Sequence, residues 1–120
     1  MVLRIRRSVC TEQADLLYIG NGNDKMKKIR KHIHFYGSVQ GVGFRYRSCY
    51  AADAAGATGW VRNESDGSVT MEIQGTEEQI DMVIQSLDQS RYIYIRSMEV
   101  RTIPVDEDER EFYVKEDWWF

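Results

Sequence analysis

Apolar and polar residues alternate along several segments of the chain with the two-residue period of a β-strand. The segment that begins at Lys28 alternates in this way and predicts a strand with one apolar face. Residues 59–63 and 68–74 show the same pattern on either side of Asp66-Gly67, a dipeptide that favours a hairpin turn. Later strands are predicted over two further ranges, 92–103 and 112–115.

Two other segments have the pattern of helices. Residues 44–55 contain many alanines and no glycine or proline, which predicts a helix that ends at Gly56. Thr76 and Gln79 have the spacing of a capping box, and it predicts the start of a second helix. The apolar residues that follow have the spacing of one helical face: Ile80, Val83, Ile84 and Leu87.

From Lys28 to residue 103 the order of these elements is strand, helix, strand, strand, helix, strand. It predicts an α+β fold, the ferredoxin-like split βαβ sandwich (βαββαβ), with a four-stranded antiparallel sheet and two helices on one face. A chain of 120 residues has the size of a single domain, which we place at 26–120. Residues 1–25 form an N-terminal appendage, with short strands predicted at 2–5 and 16–19, that is either flexible or adds an edge strand.

The composition and charge of the chain argue against several classes of protein. The formal net charge of −3 argues against a general nucleic-acid binder, which normally has a basic face. The two cysteines, Cys10 and Cys49, have no spacing typical of a metal site or a disulfide framework. The chain has no apolar run of membrane-spanning length and no secretory signal pattern, so we expect a cytoplasmic protein without a membrane partner.

The glycine-rich connection over residues 37–43 is the most informative segment. Its three glycines can take positive φ angles and bring backbone amides close to a ligand. The connection leads directly into a helix, whose first amides and dipole favour an anion, and Arg45 lies on the first turn. The glycine spacing fits neither a Walker loop nor a dinucleotide fingerprint. Taken alone, the segment is either an anion site or a plain connection.

Residues 37–45 read Gly-Ser-Val-Gln-Gly-Val-Gly-Phe-Arg, and residues 59–63 read Gly-Trp-Val-Arg-Asn. Together with Asp-Gly-Ser-Val at 66–69, these segments resemble the two signatures of the acylphosphatase family, and the resemblance covers about 28–115. It implies hydrolysis of the carboxyl–phosphate bond of acyl phosphates, with inorganic phosphate as a product. It also implies that no metal, cofactor or covalent enzyme intermediate is used.

The resemblance assigns roles to individual residues. Arg45 and Asn63 are the implied catalytic pair: Arg45 holds the phosphate and Asn63 orients the attacking water. The residues implied to surround the phosphate with backbone amides are Ser38, Val39, Gln40, Gly41, Val42 and Gly43. Because phosphoryl transfer depends mainly on positioning and electrostatic stabilisation, fixed amides and one guanidinium suit the reaction. We expect a monomer that binds small acyl phosphates.

Other chemistry-bearing residues favour structural interpretations. His32 and His34 lack a third metal ligand nearby in sequence, so we assign them to a partly exposed sheet face. Cys49 is expected to be a small buried side chain and Trp60 to pack in the core or on the sheet. Solvated side chains are expected at Arg47, Arg62 and residues 106–111.

The sequence is also compatible with two rival functions. One is a non-catalytic anion-binding or regulatory module, and the other is RNA binding, since RNA-recognition domains share this topology. The first helix also departs from the family pattern. Small or charged residues replace bulky apolar ones at Arg47, Ser48, Ala55 and Ala57. This departure predicts weaker packing unless the N-terminal appendage or the tail at 118–120 fills the space.

Overall fold

The computed structural model describes residues 3–5, for their backbone, and residues 27–115. The helices and strands are β1 (Leu3–Ile5), β2 (Ile29–Ser38), α1 (Phe44–Ala55), β3 (Thr58–Asn63), β4 (Val69–Gly75), α2 (Glu77–Asp88), β5 (Tyr94–Ile103) and β6 (Phe112–Val114). Each predicted helix and strand from residue 28 onward is present, with ends within two residues of the prediction. The predicted strand at 16–19 and the tail at 118–120 lie outside the described residues.

The strands form one sheet in the order β1-β5-β2-β4-β3-β6. The four central strands pair antiparallel, which confirms the predicted ferredoxin-like arrangement. The sheet is wider than the predicted four strands because β6 adds parallel to β3 and β1 adds antiparallel to β5. Part of the N-terminal segment thus contributes an edge strand.

Both helices pack on one face of the sheet and enclose the apolar core. On β2 this face carries Ile33 and Phe35, both fully buried, as the alternation predicts. The four apolar residues predicted to share one face of α2 are buried against it, and the Thr76–Gln79 capping box forms with bonds in both directions. The fold is therefore stabilised by burial of the apolar faces of the central strands and of α2.

The first helix has a narrow buried stripe, made by Phe44, Ser48, Ala51 and Ala52. The buried Ser48 hydroxyl donates to the Phe44 carbonyl oxygen at 2.7 Å, so its polar group is satisfied. Arg47 is not simply solvated, as the sequence suggests, because its Nε donates to the Ser86 carbonyl oxygen at 2.8 Å. That bond links α1 to the end of α2. Both segments suggested as fillers of this region lie outside the described residues, apart from the backbone of 3–5.

The loop between β5 and β6 is less solvated than the sequence suggests. Residues 106–111 are predicted to be solvated, yet the Glu109 side chain is only 9% exposed and accepts from Arg30 at 2.6 Å. Arg30 lies on the sheet face opposite the helices and is itself buried. A buried guanidinium requires a partner of opposite charge, and the loop folds over the sheet to supply it. Gln74 reinforces the contact by exchanging two hydrogen bonds with the backbone of Asp106.

Candidate active site

A cleft of about 350 Å³ opens beside the glycine-rich loop and the start of α1. Its lining residues are Val39, Gly41, Gly43, Phe44, Arg45, Tyr46, Asn63 and Val114. The cleft brings together Arg45 and Asn63, which come from separate parts of the chain. Of the other predicted site residues, Ser38 lines a neighbouring cleft, while Gln40 and Val42 line neither.

The loop takes its shape from two glycines in the left-handed region. Gly41 has φ 73° and Gly43 has φ 81°, and an added Cβ at either position would meet no atom within 4 Å. Glycine is therefore favoured here by backbone conformation and not by lack of space. Gly43 is also the N-cap of α1, and its carbonyl accepts the first helical hydrogen bond, from the Arg47 amide. With no capping side chain and no acidic residue in the first turn, this helix end suits an anion.

Two buried side chains fix the ends of the loop to the core. Val39 is 1% exposed and Phe44 is 2% exposed. The Phe44 ring also packs edge-on against Phe35, with the ring centroids 4.9 Å apart. The backbone between them is thus held without a ligand, so it can be preorganised for binding.

Gln40 has a role that the sequence does not reveal. Its Nε2 donates to the Glu64 carbonyl oxygen at 2.7 Å and to the Ser68 carbonyl oxygen at 2.8 Å. Both acceptors belong to the turn between β3 and β4, directly after Asn63. The side chain therefore ties the glycine-rich loop to the segment that carries Asn63.

The polar side chains inside the cleft are available to a ligand. Arg45 and Asn63 are each partly buried. Within residues 27–115, neither side chain makes a hydrogen bond or ion pair with another residue. A guanidinium and an amide placed in one cleft can bind an anion and a water molecule together.

The two histidines lie on the opposite sheet face and contact separate partners. The Nδ1 of His32 lies 2.7 Å from the Glu72 Oε2, whereas the Nε2 of His34 lies 2.5 Å from the Ser68 Oγ. Burial raises the pKa of the Glu72 carboxyl, but hydrogen bonds from His32 and Arg30 outweigh it and leave that pKa below its ordinary value. No group of three His, Cys, Asp or Glu side chains in the described part of the chain could hold a metal ion.

The remaining candidates are structural. Trp60 is 8% exposed and packs on the sheet under two cations, Lys115 at 4.4 Å and Arg62 at 5.2 Å from the ring centroid. Arg62 also pairs with Glu64 at 3.1 Å, so it is not merely solvated. Burial and the nearby Asp53 raise the pKa of the partly buried Cys49 thiol, which disfavours the thiolate. Among the helices described, none is long and apolar enough to span a membrane.

Comparison with known proteins agrees with this fold. The family model named Acylphosphatase matches residues 31–114. An acylphosphatase of Oceanobacillus iheyensis is 38% identical over 85 residues, which are 69% of this chain and 93% of that protein. The crystal structure of acylphosphatase from Bacillus subtilis superposes with a TM-score of 0.68 at 28% identity, covering 73% of this chain and 99% of the other.

A larger protein contains a similar domain. The crystal structure of T. kodakarensis HypF matches with a TM-score of 0.65 at 32% identity, covering 74% of this chain but only 12% of that one. The matched family model spans both predicted signatures, and the cleft brings Arg45 of the first signature together with Asn63 of the second. By sequence and fold, the chain belongs to the acylphosphatase family.

Proposed function

We propose that this protein hydrolyses acyl phosphates to a carboxylate and inorganic phosphate. It does so as a cytoplasmic monomer, without a metal or cofactor and without a nucleic-acid or membrane partner. The observation that carries the proposal is that Arg45, Asn63 and three loop residues, Val39, Gly41 and Gly43, line the same cleft. These groups match the needs of the reaction, which are an anion cradle and a positioned water.

The phosphate binds to the loop and to Arg45. Backbone amides of residues 38–43 surround the phosphate oxygens, and the α1 dipole favours their charge. The Arg45 guanidinium donates two parallel hydrogen bonds to the same group, which a compact ammonium cannot reproduce. Because the buried Val39 and Phe44 hold the loop backbone before binding, its amides stabilise the charge spread over the oxygens in the transition state.

Asn63 orients the water that attacks phosphorus. Its side-chain amide offers both a donor and an acceptor, so it can align a water molecule without removing a proton. The water oxygen forms a bond to phosphorus while the bond from phosphorus to the acyl oxygen breaks. The electron pair of that bond leaves on the carboxylate, a stable anion that needs no general acid. The proton of the water passes to a phosphate oxygen of the substrate.

The direct test is hydrolysis of benzoyl phosphate by the full chain in the presence of EDTA. We expect turnover that follows simple saturation, with inorganic phosphate as a competitive inhibitor because it occupies the same cradle. Titration with single-stranded RNA serves as the comparison for the rival RNA-binding function. Absence of hydrolysis, or phosphate inhibition that is not competitive, would contradict the proposal.

A further inference from the structure

A chain of side-chain hydrogen bonds connects β2 to the turn between β3 and β4. The Nε2 of His34 lies 2.5 Å from the Ser68 Oγ, and that hydroxyl donates to the Asp66 Oδ1 at 2.5 Å. The Ser68 amide donates to the same carboxylate oxygen at 2.9 Å. Ser68 is only 3% exposed, whereas His34 is half-buried and the Asp66 carboxylate is exposed.

The proton positions in these hydrogen bonds follow from the number of available protons. A serine hydroxyl has one proton, and here Ser68 donates it to Asp66. The contact with His34 therefore requires the imidazole Nε2–H as donor and the hydroxyl oxygen as acceptor. Both hydrogen bonds from Ser68 lower the pKa of the Asp66 carboxyl, which keeps it an anionic acceptor. The direction of donation is thus from His34 to Ser68 to Asp66.

The backbone of Ser68 extends this series of hydrogen bonds to the proposed active site. Its carbonyl oxygen accepts from the Glu64 amide at 2.9 Å and from the Gln40 Nε2 at 2.8 Å. Glu64 directly follows Asn63, and Gln40 belongs to the glycine-rich loop. Ser68 therefore connects the turn between β3 and β4 both to the glycine-rich loop and to His34, on the sheet face opposite the helices.

We propose that His34 is a positioning residue for the reaction proposed above, holding Asn63 in place through Ser68. The inference rests on that proposed function. His34 does not line the cleft, so it has no contact with the substrate. Its ring is held by stacking on Tyr36, with the centroids 4.5 Å apart, and the Tyr36 hydroxyl donates to Glu99 at 3.1 Å. Because the His34 imidazole is held in place, it restrains Ser68. Ser68 in turn restrains the end of β3, which carries the Asn63 side-chain amide.

The test compares two substitutions at one position with a control on the same strand face. His34→Leu removes the donor, whereas His34→Gln keeps a side-chain N–H that can reach Ser68. His32→Leu removes a similar contact, to Glu72, two residues further from the loop. We expect His34→Leu to lower kcat for benzoyl phosphate about fivefold, with KM and phosphate inhibition changed less than about twofold. We expect His34→Gln to retain about half of kcat and His32→Leu to retain nearly all of it.

A second measurement does not depend on activity. The Glu64 amide, which bonds to Ser68, should exchange with solvent several-fold faster in His34→Leu than in the wild type or in His32→Leu. Unchanged exchange together with unchanged kcat in His34→Leu would overturn the inference. The inference would also be overturned if His34→Gln or His32→Leu lost as much kcat as His34→Leu, because the loss would then reflect a general effect on packing. A wild-type chain that lacks hydrolysis would refute the proposed function, and the exchange rates would still test the hold of His34 on the turn.

Discussion

Gln40 offers a sharp test of how the site is held together, because its side chain joins the loop to the turn. Gln40→Leu keeps a similar volume but removes both donations from Nε2, to Glu64 and to Ser68. A neutral hydrogen bond contributes about 1 kcal/mol net, so we expect the free energy of unfolding to fall by about 2 kcal/mol. If about 1.4 kcal/mol of this loss bears on the relative placement of the loop and Asn63, kcat/KM falls about tenfold.

A matched control is available at Gln74, whose side chain also makes two hydrogen bonds to a loop backbone, at Asp106. Gln74 lies six residues along the chain from Ser68 and close to the other end of β4, a distance of about 20 Å. Gln74→Leu should therefore lower stability by at least as much as Gln40→Leu while leaving kcat/KM within about twofold of the wild type. Urea unfolding and benzoyl phosphate hydrolysis measure the two effects. Equal kcat/KM in the two variants would refute the reasoning.

Three further predictions concern single residues. Gly37→Ala should lower the free energy of unfolding by at least about 2 kcal/mol, since φ is +133° and a Cβ would lie too close to the Tyr94 carbonyl oxygen. Urea unfolding should show a smaller loss for Gly41→Ala, where the positive φ strains the backbone but no atom lies near the added Cβ. Arg45→Lys should raise the phosphate inhibition constant about tenfold or more in steady-state assays, because the planar fork is lost. Glu72, with its lowered pKa, stabilises the fold above its unfolded-state pKa and loses this effect as the pH falls through the folded-state pKa; acid unfolding curves of Glu72→Gln should therefore show a smaller loss of stability with falling pH.

Local features of the chain predict most of the fold. The ends of α1 are correct because its uninterrupted helix-forming segment lies between Gly43 and Gly56, each left-handed in the structure. The start of α2 is correct because the capping box uses only Thr76 and Gln79. In each case, residues within a few positions of one another determine the geometry, so a single sequence contains the necessary information.

Contacts between distant residues are the part that the sequence does not predict. Glu109 pairs with Arg30 across 79 positions, and the acidic run around it resembles a solvated loop. The bonds of Gln40 to the turn depend equally on the final packing of the two segments. The alternation on β2 predicts which residues face away from the helices, but not which loop folds over that face. At the site, resemblance to the family signatures predicts Arg45 and Asn63, while the hydrogen bonds of Gln40 to the turn after Asn63 are found only in the structure.

In the proposed mechanism, the loop and Arg45 bind phosphate while Asn63 positions the water. The most direct measurement is steady-state hydrolysis of benzoyl phosphate by Asn63→Ala, with inorganic phosphate as the competitor. We predict a loss of kcat of at least about 100-fold and a phosphate inhibition constant within about threefold of the wild-type value. Undiminished kcat, or a loss of phosphate affinity as large as the loss of kcat, would contradict this division of roles.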